Sequence, residues 1–175
     1  MEYLSLEQIR IEESRKQYLA SFLVWGEVHI CISYVSEFSS AKVLREFIDE
    51  ICTLYNISMK WRTRLVLIVD ELNNNAIEYG SKKGDTNFLE VHIKRGDKKN
   101  ISFCARVQDT GNWERAKTAE EMEILREEHR RKDFSLHQSI RWRGLFLIIS
   151  RLVDTLSFYN GDPKGLIVEV EIWVD

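Results

Sequence analysis

The sequence predicts an α/β (α+β) two-layer sandwich, in which one mixed, mainly antiparallel sheet carries helices on one face. Runs typical of β-strands lie at residues 28–35, 89–94, 101–107 and 166–174. Segments with apolar residues three and four positions apart lie between the first two of these runs. Two connections rich in glycine, aspartate or asparagine are short enough for antiparallel hairpins. Strands and helices in this order bury one sheet face and leave the other polar.

The length and composition are those of a globular chain with one main domain. The 175 residues are 44% hydrophobic and 11% aromatic, with a single proline, which argues against disorder. We expect a domain over residues 28–175, preceded by an N-terminal amphipathic helix over residues 1–27 that begins near Ser5. This helix either packs on the domain or forms a dimer or partner surface.

Charge and cysteine content exclude some classes of protein. The 25 basic residues are matched by 28 acidic ones, so no excess of positive charge indicates direct binding to nucleic acid. No apolar run has the length of a membrane span, and the chain begins without a signal-peptide pattern. The three cysteines are far apart and are typical of buried thiols, with metal binding a remote alternative. These features predict a cytoplasmic protein that does not bind membranes.

The central segment, residues 58–79, predicts a helix with two distinct lines of side chains. The apolar line is Trp61, Leu65, Ile68, Leu72, Ala76 and Tyr79. Beside it runs a polar line of Glu71, Asn75 and Glu78. This line is either a solvated flank of the helix or the wall of a pocket. Two observations favour the pocket. Three successive asparagines are poor helix formers for a solvated flank, and Glu and Asn one turn apart combine a possible base with a possible metal ligand.

The segments around the central helix follow the same patterns. A helix capped by Ser39 or Ser40 precedes it and ends at Asn56, and a glycine turn at residues 80–85 leads into the first hairpin. Asp109-Thr110-Gly111 follows the second strand of that hairpin, where ordinary turn chemistry is the alternative to a binding role. A charged, exposed helix is predicted over 114–133, a helix over 141–153, and a second hairpin at the end of the chain.

Three of these motifs resemble the conserved boxes of the GHKL ATPases, the superfamily of histidine-kinase-like ATPases. The run from Glu71 to Gly80 resembles the N box. Asp109-Thr110-Gly111 is similar to the G1 box, and Arg143-Gly144-Leu145 to the G2 box. The amino-acid sequences of the first and third boxes look most like those of the anti-sigma-factor serine kinase branch. The resemblance covers residues 28–175 and implies the Bergerat-type ATPase fold, with ATP and Mg²⁺ as cofactors.

The resemblance also implies roles for individual residues. Glu71 is the expected catalytic base, which polarises a substrate hydroxyl, and Asn75 the expected Mg²⁺ ligand. Asp109 and Gly111 are the expected adenine contacts. The expected phosphate contacts are Arg143, Gly144 and Leu145, at a helix start whose dipole favours an anion. The charged segment over 114–133 corresponds to the mobile lid of the family.

At the level of function, the resemblance implies an ATP-dependent serine kinase that phosphorylates an anti-anti-sigma partner with a STAS domain and binds a sigma factor. A homodimer is also expected from the resemblance. Three departures from the boxes favour an alternative, a partner-binding module without efficient ATP use. Trp113 and Trp142 replace glycines, and Leu166 replaces a threonine whose hydroxyl lies near the nucleotide in the family.

Overall fold

The computed structural model describes residues 1–22, 27–96, 100–131 and 150–174. The strands are β1 (Glu2–Ser5), β2 (Glu27–Val35), β3 (Thr86–Arg95), β4 (Ile101–Gln108), β5 (Thr155–Asn160) and β6 (Leu166–Val174). The helices are α1 (Leu6–Arg10), α2 (Glu12–Phe22), α3 (Phe38–Leu54), α4 (Met59–Asn75), α5 (Ala119–Arg131) and α6 (Ser150–Leu152). A π-helical turn, Ala76–Gly80, follows α4 directly.

The strands form one sheet in the order β1-β2-β3-β4-β6-β5. Among the strands of the described residues, only β1 and β2 pair in parallel, and the other four pairings are antiparallel. The predicted mixed, mainly antiparallel sheet is therefore confirmed, as are the β3–β4 and β5–β6 hairpins. The sheet alternates a buried apolar face with a more exposed polar one, as the two-residue period of the strands requires.

The helices cover the apolar face of the sheet. Residues of α1 to α5 belong to the same buried cluster as the inward-facing side chains of the strands. On α4 the predicted apolar line is buried from Leu65 through Tyr79, and Trp61 is partly buried at its start. Asn56 ends the preceding helix with φ of 55°, the left-handed conformation that asparagine tolerates after a helix. The periodicity of the sequence therefore identified the core correctly.

The N-terminal segment differs from the single helix that we predicted. Residues 2–5 extend the sheet as β1, and two short helices follow. The predicted start at Ser5 is confirmed, since its backbone N–H donates to the Gln8 side chain at 2.7 Å and α1 begins at Leu6. Leu4, Ile9 and Leu19 of this segment lie in the core. Pairing with β2, nearly thirty residues away, overrides the helical pattern of the first residues.

The charged segment after β4 forms a helix that packs on the sheet. Thr118 and Glu121 bond each other's backbone N–H groups at the start of α5. Met122 is fully buried, and the Arg126 guanidinium donates to the carbonyl of Leu156 in β5 at 2.8 Å. The helix thus begins at Ala119 rather than near Glu114, and it is less solvated than predicted. Residues 141–149 of the next predicted helix lie outside the described residues, and α6 matches its end.

Among the helices of the described ranges, none combines the length and the apolar character needed to cross a lipid bilayer.

The packing of the N-terminal segment yields a test with a matched control. Ile9 is fully buried and Ile11, two residues on, is 61% exposed. Ile9→Ala is expected to lower the free energy of unfolding by about 2–5 kcal/mol, because it leaves a cavity in the core. Ile11→Ala is expected to change it by about 0.5 kcal/mol or less. Urea titration measures both, and equal effects would show that the segment does not contribute to the core.

Candidate functional site

Two of the four predicted site residues that the structure describes, Asn75 and Asp109, line one pocket between α4 and the sheet. The pocket is narrow, with a cavity volume of about 10 Å³, room for about one water molecule, within about 270 Å³ of empty space that includes open solvent. Its lining is mostly apolar and consists of Leu72, Asn75, Ala76, Val107, Asp109, Leu166 and Val168. Glu71 lies one turn before Asn75 on the same helix and is half-buried. The structure thus brings Asp109 and Asn75 together, and Arg143, Gly144 and Leu145 lie outside the described residues.

Asp109 is the only buried acidic residue of the described ranges, with 7% of its surface exposed. Its Oδ1 accepts the backbone N–H groups of Gly111 and Leu166, both at 2.9 Å. Burial raises the pKa of the carboxyl to about 6, against the opposing effect of these two hydrogen bonds. The two N–H groups occupy one oxygen, and Asp109 is one of the residues that line the pocket. Asp109 therefore presents a hydrogen-bond acceptor to whatever enters.

Three glycines enclose Asp109. A Cβ at Gly80 would lie 2.0 Å from its Oδ2, and a Cβ at Gly165 would lie 2.2 Å from its backbone oxygen. Gly165 also has φ of +106°, which few other residues adopt. A Cβ at Gly111 would lie 2.9 Å from the Cα of Gly165. Gly111, which the resemblance places at the adenine, therefore acts on Asp109 as well, through its N–H and its close packing.

Asn75 and Glu71 have the features expected of a metal ligand and a base. Asn75 lines the pocket, and its buried Nδ2 has no hydrogen-bond partner. An amide kept in this state is an exception among buried polar groups, which are normally paired. Partial burial raises the pKa of Glu71, and the negative charge of Asp70 raises it further. A raised pKa brings a carboxylate nearer to the value at which it accepts a proton efficiently.

A clamp of four side chains, absent from our sequence prediction, fixes the loop that carries Asp109. Ser81 and Asp85 belong to the turn after the π-helical turn, and Thr110 and Asn112 belong to the loop. The Thr110 N–H donates to Ser81 Oγ at 3.0 Å, and its hydroxyl donates to Asp85 Oδ2 at 2.6 Å. Asn112 Nδ2 donates to the same carboxylate at 3.1 Å. Polar residues in a glycine turn were the only signal in the sequence, and they do not identify partners 25 residues away.

Two of the three departures from the family boxes lie in the described residues. Trp113 is 37% exposed and does not line the pocket, and its backbone N–H donates to the carbonyl of Gly80 at 3.4 Å. Leu166 does line the pocket, where it adds apolar surface while its N–H holds Asp109. Neither residue removes the acceptor on Asp109. Trp142 lies outside the described residues.

The chemistry of the pocket lining, rather than the size of the cavity, fits an adenine nucleotide with Mg²⁺. Leu72, Val107 and Val168 supply apolar walls for a flat base, and Asp109 supplies an acceptor for its amino group. Asn75 supplies a neutral oxygen, which is a suitable ligand for a hard cation. In the part of the chain that is described, no group of three or more His, Cys, Asp or Glu could hold a metal. Mg²⁺ takes one or two protein ligands alongside phosphates and waters, so one asparagine is compatible with it.

The structure combines a mixed sheet with helices on one face and an apolar pocket that contains a buried carboxyl and an asparagine of the central helix, as expected of the ATPase fold. Comparison with protein families agrees with this class. The family model of the histidine kinase-like ATPase domain matches residues 35–172. The chain belongs to this family. A search of the curated proteins found no match.

The buried carboxyl predicts a pH-dependent stability with a defined sign. The pKa of Asp109 rises from 3.8 to about 6 on folding, so its ionisation destabilises the folded state as pH rises through this interval. Asp109→Asn keeps the acceptor oxygen and removes the charge. Above pH 6 it is expected to raise the free energy of unfolding by up to about 3 kcal/mol, and this gain should vanish near pH 4. Urea titrations across pH measure it.

Asp85→Asn is the matched control, with the opposite sign. Hydrogen bonds from Thr110 and Asn112 lower the pKa of Asp85, so its charge stabilises the folded state at neutral pH. Asp85→Asn is therefore expected to lower stability at pH 7, with a difference that disappears as pH falls below the normal aspartate pKa. Equal behaviour of the two variants would show that Asp109 is not buried as described.

Proposed function

We propose that the chain is an ATP-dependent serine kinase of the anti-sigma type. The observation that carries this proposal is the buried carboxyl of Asp109, which keeps an acceptor in an apolar pocket despite the free energy that its burial costs. A structural role alone would be filled better by a neutral residue. The enzyme would phosphorylate a small anti-anti-sigma partner with a STAS domain and would bind a sigma factor, and so regulate transcription without itself contacting nucleic acid.

In this proposal Asp109 selects the base. The amino group of adenine donates a hydrogen bond to the carboxylate, whereas guanine has a carbonyl oxygen at that position and would face a second acceptor. The apolar walls of the pocket, including Leu166, fit the faces of a purine. Gly111 keeps Asp109 in place through its N–H. Arg143, Gly144 and Leu145 would contact the phosphates, as the resemblance implies.

Glu71 and Asn75 would act at the other end of the nucleotide. Asn75 would hold Mg²⁺ through its side-chain oxygen, and bound ATP with Mg²⁺ supplies the phosphoryl group for transfer. Glu71, half-buried and with a raised pKa, would accept the proton of the partner's serine hydroxyl. Their spacing of one helical turn places both side chains on the same face of α4.

The alternative, a partner-binding module without efficient ATP use, is favoured by Leu166. This residue places an apolar side chain in the pocket where the resemblance calls for a hydroxyl near the nucleotide. A module of this kind would keep the fold and act by contact alone. Calorimetry with ATP and Mg²⁺ separates the two functions, since the kinase must bind ATP and the module need not.

Asn75→Ala tests the metal site. The variant is expected to lower the contribution of Mg²⁺ to ATP affinity by about tenfold or more, as loss of a metal's protein contacts does. The melting temperature should change little, because the buried Nδ2 of Asn75 has no partner to lose. Calorimetry with and without Mg²⁺ measures the effect, and Asn74→Ala, at the neighbouring position, is the control. An unchanged metal dependence in Asn75→Ala would exclude this residue as the ligand.

Glu71→Gln tests the proposed base. This substitution is expected to preserve ATP binding and to slow phosphoryl transfer to the serine of a STAS-domain partner by about 10²-fold or more. Single-turnover transfer from radiolabelled ATP, at equal nucleotide occupancy, measures the rate. Glu78→Gln is the control, because Glu78 is exposed and lies in the π-helical turn that follows α4. Transfer at the wild-type rate by Glu71→Gln would mean that this carboxylate does not act in catalysis.

A further inference from the structure

Gly80 ends the π-helical turn and has no local reason to be glycine. Its φ lies outside the left-handed region, so an alanine would fit its backbone. Alanine would also be the better helix former at this position. What excludes a side chain is Asp109, since a Cβ on Gly80 would lie 2.0 Å from Oδ2, 2.2 Å from Cγ and 2.5 Å from Cβ of that residue. The carboxyl of Asp109 occupies the space that a side chain at position 80 would fill.

The side chain of Asp109 is held in its position by two hydrogen bonds. Its Oδ1 is held by the N–H groups of Gly111 and Leu166, which come from two different segments. The Asp109 backbone is itself paired, because its N–H donates to the carbonyl of Leu166 at 3.0 Å. A methyl group at position 80 would therefore displace the carboxyl into the pocket or break these bonds. The nearest neighbour of a side chain at position 80 is therefore the side chain of Asp109.

The π-helical turn is also bonded to the rest of the Asp109 loop. The carbonyl of Gly80 accepts the N–H of Trp113, and Ser81 Oγ accepts the N–H of Thr110. At its other end the turn begins directly after Asn75. A single π turn in an α-helix is a feature often found at functional sites. Here it joins the helix that carries Asn75 and Glu71 to the loop that carries Asp109.

We infer that Gly80 is a positioning residue that sets the place of the Asp109 carboxyl and thereby the preference of the pocket for adenine. This inference rests on the proposed function for its link to adenine, whereas the contact between residues 80 and 109 is independent of any nucleotide. A side chain at position 80 leaves the pocket present but moves its acceptor. A variant with a side chain at position 80 should therefore lose affinity for the adenine amino group more than affinity for nucleotides in general.

A double-mutant cycle of thermal unfolding, without nucleotide, tests the contact. Gly80→Ala is expected to lower the melting temperature of the wild type. In Asp109→Gly, which lacks the opposing side chain, the same substitution is expected to leave it unchanged or raise it, as alanine for glycine in a helix does. If Gly80→Ala alone fails to fold and the double variant folds, the contact is equally supported. Equal losses in both backgrounds, or a double variant that also fails to fold, would overturn it.

Gly84→Ala is the matched control for the cycle. Gly84 has φ of +92° and no atom within 4 Å of the place of a Cβ, so alanine there strains the backbone without touching Asp109. Its effect on the melting temperature is expected to be the same in the wild type and in Asp109→Gly. A dependence on residue 109 as large as that of Gly80→Ala would show that the coupling is not specific to position 80, against the inference.

Calorimetry with ATP and with inosine triphosphate, both with Mg²⁺, tests the effect on selectivity. Inosine has a carbonyl oxygen where adenine has the amino group. Gly80→Ala is expected to weaken ATP binding by about tenfold or more, the worth of a hydrogen bond to a charged group, with a smaller change for inosine triphosphate. Gly84→Ala should keep the wild-type ratio. Equal loss of both nucleotides in Gly80→Ala would contradict a role in base selection.

The two experiments fail separately. If the wild type binds neither nucleotide, the proposed function and the adenine part of the inference are both refuted. The unfolding cycle still decides whether Gly80 places Asp109. If the wild type prefers ATP and Gly80→Ala keeps that preference, the kinase proposal stands and the role of Gly80 is refuted.

Discussion

The structure around the pocket depends on one constraint, the burial of the Asp109 carboxyl. A buried carboxylate is unfavourable unless hydrogen bonds offset the loss of water, and here two backbone N–H groups do so only in part. The part of the desolvation cost that these hydrogen bonds do not offset raises the pKa of Asp109 to about 6. Gly80 and Gly165 lie in close contact with Asp109, whose carboxyl and backbone oxygen fill the space where their side chains would be, and Gly111 packs in turn against Gly165. The clamp through Asp85 and Thr110 keeps the loop in the one conformation that satisfies all of these contacts.

This arrangement is costly to stability and therefore indicates function. Natural proteins keep strained or unsatisfied groups mainly where binding or catalysis needs them. The pocket contains two such groups, the ionisable Asp109 and the buried, unpartnered amide of Asn75. Both line one cavity with apolar walls.

The N-terminal segment and α5 both pack on the sheet of the family domain. The family match begins at residue 35, yet β1 and β2 add two strands before that point, and Ile9 is fully buried. α5 lies between two of the family boxes and packs on β5 through Met122 and Arg126. A segment that must open over a ligand is expected to be weakly packed. The first part of the predicted lid is instead attached to the edge of the sheet.

Local sequence patterns determined the strands β2 to β6, α3, the buried line of α4, the two hairpins and the place of Asp109 at a strand end. Each depends on residues close in the chain, through the periods of helix and strand and the chemistry of turns. Tertiary structure decided the rest. β1 forms because β2 offers a partner, and the π-helical turn brings Gly80 against Asp109. Contacts between residues about 30 positions apart leave no periodic signal, so the glycine enclosure and the clamp were invisible in the sequence.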